Sequence, residues 1–175
     1  KGGLGSASAT WNGYTVGALV VANPVGKVTA GDGPHFLAAA SEFGDEFGGL
    51  GPAPAFDPTD VPPTKMPGSA REATVIAVVA TDATLTKSQA TRMAVMAHDG
   101  IARAVWPSHT PIDGDVVFSV STSRRPIAEG ADGLTQLGWL GHIGALCLSR
   151  AIARAVYLAR SAPGDVKPAW RDRFG

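Results

Sequence analysis

Charge is scarce in this sequence: Asp, Glu, Lys and Arg together make up 17%, with 15 residues of each sign and a formal net charge of zero. No basic block interrupts that balance, and without clustered Lys and Arg a chain lacks the phosphate-neutralising footprint of a nucleic-acid binder. DNA and RNA are therefore not expected partners. Cysteine is nearly absent, Cys147 being the single one. No disulfide can close within the chain, and a lone thiol fits a reducing compartment, so a cytoplasmic location is expected. Long apolar runs are missing too, because Arg, Asp or Gly breaks each alanine-rich stretch before the roughly 18 residues of a membrane span are reached. No membrane partner is expected. The four histidines, His35, His98, His109 and His142, show no metal-ligand spacing and read as surface or satisfied side chains. The start, Lys1-Gly2-Gly3-Leu4-Gly5, has neither an initiator Met nor a signal-peptide pattern, and a piece of a longer chain is the expectation.

What the sequence does have is apolar bulk, at 45% of 175 residues, enough for the core of one globular domain. Its 22 glycines and 13 prolines mark the seams. Tyr14 to Ala22 is β-branched and apolar between Asn12-Gly13 and Asn23-Pro24, the pattern of a buried strand. Before it, Gly2, Gly3 and Gly5 with Ser6-Ala7-Ser8 read as a glycine-rich loop. Residues 31–51 read as loop with one short helix. From 52 to 67 the chain carries Pro52, Pro54, Pro58, Pro62, Pro63 and Pro67, which removes backbone donors and predicts an extended linker open to cleavage. Thr74 to Thr81 follows as a strand buried on both faces. Ala90, Met93, Ala94, Ala97, Ile101 and Ala104 fall at helical spacing within 88–105, Val116 to Ser121 reads as a second strand, and Arg124-Arg125-Pro126 as a loop. A long apolar helix then runs from Leu134 to Ala159. Strand, helix, strand, helix defines an α/β protein with helices covering sheet faces.

A core strand that opens on a hydroxyl residue, directly after a scissile linker, is the arrangement an N-terminal nucleophile needs. A threonine hydroxyl is a weak nucleophile without a base, and a freed α-amine, with a reference pKa of about 7.7–8.0, can be that base at neutral pH. Cleavage between Ala73 and Thr74 would create both on one residue. The same Thr reads equally as an ordinary strand residue. Asp113 and Asp115 are one residue apart, so extended backbone would put both carboxylates on one face to orient an amine or share a proton; Asp-Gly-Asp is also turn chemistry. Lys1 offers a positive charge and Asn23 an amide N–H for an oxyanion. Each also fits a surface or turn position. The segment from Gly2 to Ser8 loosely resembles the phosphate loop of small-molecule kinases, but that use requires a helix immediately afterwards, and a strand is expected there. Cys147 lies within Leu146-Cys147-Leu148 and reads as a small buried hydrophobe.

Taken together, Lys1 to Ser8, Thr74 to Lys87 and Pro111 to Phe118 resemble the DmpA and nylon-oligomer hydrolase family, and within it the endo-type 6-aminohexanoate-oligomer hydrolases. This resemblance implies an αββα-type sandwich similar to N-terminal nucleophile hydrolases, in one structural domain. Residues 1–73 would end the larger subunit, 74–175 would form the smaller one, and the missing N-terminal half of the precursor would precede Lys1. Thr74 would be nucleophile and, through its freed amine, base; Lys1 and Asn23 would stabilise charge or the oxyanion; Asp113 and Asp115 would orient the amine. No metal or organic cofactor is implied. The expected activity is hydrolysis of linear amide oligomers such as 6-aminohexanoate oligomers through a Thr acyl-enzyme, by a homo-oligomer, a tetramer of processed heterodimers.

One departure stands out, since the family pattern has Asn immediately before the nucleophilic Thr and this chain has Ala73. An unprocessed, inactive precursor is therefore a rival reading. A second rival is a DmpA-like aminopeptidase for β-peptides or D-residue amides, which would capture a substrate ammonium with an acid such as Asp32, Asp45 or Glu46. Trp106, Trp139 and Trp170 are candidates for core packing or for contacts between copies.

Overall fold

A computed structural model describes residues 1–57, 59 and 73–175. Most of the proline-rich stretch expected as a linker lies outside these residues. The described chain forms a four-stranded sheet in the order β1-β2-β3-β4, with β1 at Gly3–Trp11, β2 at Tyr14–Asn23, β3 at Thr74–Thr84 and β4 at Val116–Pro126. β1 and β2 are antiparallel, joined by Asn12 and Gly13 at φ 47° and 80°, the left-handed pair that a two-residue hairpin turn requires. β2 and β3 are antiparallel and β3 and β4 parallel. The parallel step is bridged by α1 at Lys87–Ala97 and α2 at Asp99–Ala104, and the long α3 at Gly130–Tyr157 follows β4. A 3-10 turn at Leu37–Ser41 and a short α4 at Trp170–Phe174 complete the elements.

Alternation along the strands decides which face meets the helices. In β2 Val16, Ala18, Val20 and Ala22 are buried, and in β3 Val75, Ala77 and Val79, against Met93, Ile101, Leu140, Leu148 and Ile152 of the helical layer. The opposite face of the sheet is also apolar yet uncovered: Leu4, Leu19, Val21, Ile76, Phe118 and Val120 are all exposed there. β3 was expected to be buried on both faces; its composition suits that, but the described residues cover only one. The chain thus supplies one sheet and one helical layer of an α/β sandwich.

The glycine-rich start is strand β1 and not a loop. Its glycines answer to a helix: a Cβ on Gly3 would sit 2.6 Å from the Ala155 carbonyl oxygen and one on Gly5 2.1 Å from that of Ala151, so only hydrogen lets β1 lie against α3. With a strand in that place there is no phosphate loop feeding a helix, and the kinase resemblance ends. The helix expected over 88–105 is interrupted at His98, ahead of Asp99-Gly100, a pair of low helix propensity. Gly100 packs against the Ala145 carbonyl, which a Cβ would approach to 2.4 Å. Arg124-Arg125-Pro126 is the end of β4 and not a loop, because a register shift between Thr81 and Ala83, with Ser123 at φ 53°, carries the pairing onward. α4 was not anticipated; Trp170 anchors it, buried, with Nε1 donating to Pro34 O at 3.0 Å. Trp106 and Trp139 are partly exposed. Cys147 is fully buried, its Sγ donates to Val16 O at 3.5 Å, and burial pushes the thiol up to about 11.

Gly5→Ala should therefore destabilise the fold by about 1–3 kcal/mol or more, as overpacked cores do. Gly17→Ala, whose Cβ would find its nearest neighbour at 3.7 Å, should leave the denaturation midpoint within about 0.5 kcal/mol, the usual range where nothing is disturbed. Paired urea unfolding curves read both.

Candidate active site

Thr74 is the first residue of β3, and antiparallel pairing places Asn23, the last residue of β2, directly opposite it. Cross-strand partners point to the same face with Cβ atoms about 4.5–5.5 Å apart, so the hydroxyl and the amide share the sheet face opposite the helical layer. The Thr74 hydroxyl donates to the carbonyl of Ala73 at 2.6 Å. That carbonyl belongs to the bond expected to break.

Ala73 itself forms a parallel bridge with Asp113, through which Gly114 N donates to Ala73 O at 3.0 Å. The segment carrying Gly114 is held by its two flanking acids. Asp113 Oδ1 accepts from Val25 N at 3.0 Å, and its Oδ2 accepts from Thr110 N at 3.0 Å and Thr110 Oγ1 at 2.7 Å. Asp115 Oδ1 accepts from Val75 N at 2.9 Å, while Oδ2 lies 2.8 Å from His109 Nδ1. Three segments are tied together in this way: the end of β2, the head of β3 and the approach to β4. The turn lies ahead of the Asp-Gly-Asp sequence, over 110–113, where Asp113 N donates to Thr110 O at 2.9 Å; Asp113 itself is paired with Ala73, so Asp-Gly-Asp is the approach to β4 and not the turn that its composition also allowed.

His109 was read from the sequence only as a surface or satisfied histidine, and Thr110 had no place there. His109 takes a left-handed backbone, φ 54°, uncommon outside glycine, and its ring lies 5.4 Å from that of His98. His98 is held below the usual histidine range, chiefly by burial and then by the neighbouring His109 charge, against the opposing pull of Asp115 and Asp99. Nothing local in the sequence signals these contacts, because they arise only when the approach to β4 folds onto β3. Among the described residues no group of three or more His, Cys, Asp or Glu could hold a metal ion.

Lys1 is at the end of the sheet that carries Asn23 and Thr74, with Gly2 packed on Ala22. Its ammonium is engaged elsewhere, on Asp165 Oδ2 at 2.6 Å and Arg160 O at 2.8 Å. The hydrogen bond from Lys1, with a second from Ala162 N–H, holds the Asp165 carboxyl below its ordinary range. Two of the three acids considered for ammonium capture are also occupied. Asp32 pairs with Lys27 at 2.6 Å, and Glu46 receives Arg150 Nε at 2.5 Å and Arg154 Nη1 at 3.3 Å. Burial pushes the Glu46 carboxyl upward, but the Arg150 and Phe43 hydrogen bonds and the two guanidinium charges outweigh it and leave it below the ordinary range. A cavity of about 670 Å³ near Glu46, lined by Ser6, Ser8, Leu19, Val78 and Arg150 among others, does not include Thr74.

The sheet thus opens a strand on a threonine facing an asparagine, with a helical layer behind it. The sequence profile described as Peptidase family S58 matches residues 1–168, and the chain belongs to that family. It is 40% identical over 172 residues to an uncharacterized aminopeptidase of Mycobacterium leprae (strain TN), covering 94% of this chain and 46% of the relative. An uncharacterized aminopeptidase of Mycobacterium tuberculosis (strain H37Rv) is 37% identical over 185 residues, covering 99% of this chain and 52% of the relative. The chain thus spans about half the length of these relatives. Among solved structures, the PH0078 protein from Pyrococcus horikoshii OT3 is similar at a TM-score of 0.55 and 27% identity, over 94% of this chain and 42% of that one. The L-aminopeptidase D-Ala-esterase/amidase from Ochrobactrum anthropi, described as a variant of the Ntn hydrolase fold, has a TM-score of 0.56 at 21% identity, over 95% of this chain and 43% of that one. The second likeness is one of fold.

Asp113→Ala would strand three donors, on Val25 and on the Thr110 main chain and hydroxyl. Unsatisfied buried donors cost about 1–3 kcal/mol each, so partial exposure here points to a total near the lower end. A drop in melting temperature of the full-length protein, read by thermal denaturation beside the unaltered chain, is the expected outcome.

Proposed function

We propose that this chain is part of a self-processing N-terminal nucleophile amidohydrolase that cuts linear amide oligomers, 6-aminohexanoate oligomers among them, through a threonyl ester on Thr74. The observation that carries the reading is the junction itself: a Thr at the head of a core strand, its hydroxyl 2.6 Å from the carbonyl oxygen of the residue before it. After cleavage the α-amine of Thr74 takes the hydroxyl proton as Oγ1 attacks the substrate carbonyl and returns it to the leaving amine. The Asn23 amide, on the same face, binds the oxyanion, and water releases the acyl group. The acids fix the geometry from behind, Asp115 by holding the N–H of Val75, the residue next to the amine. Lys1 joins the reacting centre once its ammonium leaves Asp165 and the Arg160 carbonyl. Nothing in this chemistry calls for a metal or an organic cofactor.

The apolar face formed by Leu4, Leu19, Val21, Ile76 and Phe118 supports an N-terminal half of the precursor as the partner that completes the sandwich. Association of the processed protein into a homo-oligomer belongs to the same proposal. A second reading is an aminopeptidase for β-peptides or D-residue amides; the mycobacterial relatives are named aminopeptidases, without a substrate class. Against it, Asp32 and Glu46 already hold cations of the chain itself, so the ammonium would need another acid.

Intact mass spectrometry of the full-length protein should give two fragments with the new N-terminus at Thr74, and Thr74→Ala should remain one chain. A single uncut mass for the unaltered protein, even on prolonged incubation, supports the inactive precursor instead, and Ala73→Asn should then accelerate cutting if the side chain before Thr74 positions the bond. Faster release of amine from aminohexanoate oligomers than from β-peptide amides favours the first substrate class, and the reverse the second. Because the base must be unprotonated, kcat/KM should rise with pH and level off above the pKa of the Thr74 amine, about 7.7–8.0 if unperturbed. A profile flat from pH 6 to 9 would remove the amine from the role of base.

A further inference from the structure

The scissile carbonyl already has a donor aimed at it, and that donor is not Asn23. Gly114 N–H reaches Ala73 O at 3.0 Å, on the oxygen to which Thr74 Oγ1 donates at 2.6 Å. An oxyanion donor has to lie about 2.7–3.1 Å from the oxygen that gains charge, and it must not need to move when the charge appears. Gly114 meets both conditions. Its neighbours on either side are fixed by Asp113 on Val25 and Thr110 and by Asp115 on Val75 and His109, so both carboxylates are committed to donors of their own.

The residue type carries a second, independent sign. A Cβ at position 114 would stand 3.0 Å from Thr74 Oγ1, tighter than ordinary contacts allow. No positive φ explains this glycine; the approach of the nucleophile does. A main-chain N–H with nothing attached beside it can face the carbonyl while leaving the hydroxyl its space.

We propose that the backbone N–H of Gly114 is an oxyanion donor, first to the Ala73 carbonyl when the chain cuts itself and afterwards to the substrate carbonyl that takes its place. The proposal rests on Thr74 being the nucleophile. In the first step Thr74 Oγ1 bonds to the carbonyl carbon of Ala73, the 73–74 C–N bond breaks, and the hydroxyl proton ends on the nitrogen that becomes the Thr74 amine. Water then splits the ester, leaving a carboxylate on Ala73 and restoring the hydroxyl. Departure of Ala73 frees the Gly114 N–H, and the acyl carbonyl of an incoming amide accepts the same hydrogen bond as Thr74 attacks it.

The test replaces Gly114 by glycolate through nonsense suppression in the full-length protein, which exchanges the N–H for an ester oxygen and adds no side chain. Self-cleavage and steady-state hydrolysis are measured beside the unaltered protein and Thr74→Ala. The proposal expects both rates to fall by about a hundredfold or more, in kcat with KM nearly unchanged, at an unaltered melting temperature. Rates within threefold of the unaltered protein, with Thr74→Ala inactive, overturn the Gly114 role and leave the nucleophile intact. Activity retained by Thr74→Ala overturns the nucleophile and this proposal with it. A loss confined to self-cleavage overturns the substrate half. In the unaltered, processed protein, 6-aminohexanal should form a hemiacetal with Thr74 and shift the amide resonance of Gly114. An adduct that leaves that resonance in place overturns the proposal whether or not the ester variant folds.

Discussion

The candidate chemistry depends on the position of the head of β3, which bonds to two other segments hold in place. A parallel bridge from Ala73 to Asp113 and the hydrogen bond from Val75 N to Asp115 fix it from the β4 side. Antiparallel pairing with Asn23 fixes it from the β2 side. Ladder hydrogen bonds alone are weak at a strand end, where fraying begins. Charge-assisted bonds from backbone N–H to carboxylate are roughly twice as strong as neutral ones, which suits two acids placed where one strand starts and the next is approached. The acids thus act here as main-chain clamps, whereas spacing alone suggested an amine-orienting or proton-sharing pair.

The sheet is apolar on both faces, and the two faces meet different fates. One is sealed by α3 over β1 and β2 and by α1 over β4, through side chains that are essentially inaccessible. The other shows Leu4, Leu19, Val21, Ile76, Phe118 and Val120 to solvent, at least one from each strand. An exposed patch of that composition is unusual for a finished monomer. It agrees with a chain spanning about half the length of its mycobacterial relatives. The Glu46–Arg150–Arg154 cluster sits at the β1 margin of this layer, where Arg150 also donates to Ser8 O at 2.9 Å and lies 3.8 Å over the Phe43 ring. That joins the 42–49 segment to α3 and to the edge strand.

The local pattern made β2, β3 and α3 legible, because alternation and helical periodicity are properties of neighbours in sequence. It misread β1, whose glycines are selected by the approach of a helix more than a hundred residues away. It also ended β4 too early, since no single-strand pattern announces a register shift set by the partner strand. The family resemblance pointed to Thr74, Asn23, Asp113 and Asp115 as one site, and the fold does bring these four together. Lys1 sits at the right end of the sheet with its ammonium turned to Asp165. The parts played by His109, Thr110 and Gly114 were not legible, because their contacts to Asp115, Asp113 and Ala73 are made only once separate segments fold together. Only the tight spacing to Thr74 Oγ1 reveals why position 114 is glycine.

The burial of Cys147 has a practical side. A thiol sealed beneath β2 and shifted to about 11 presents almost no thiolate near neutrality. Within this chain, a cysteine introduced on the exposed end of α1 or at the β1–β2 turn would be the sulfur that native-state maleimide reagents find. A dye placed there would report on its own surroundings without a competing label in the core.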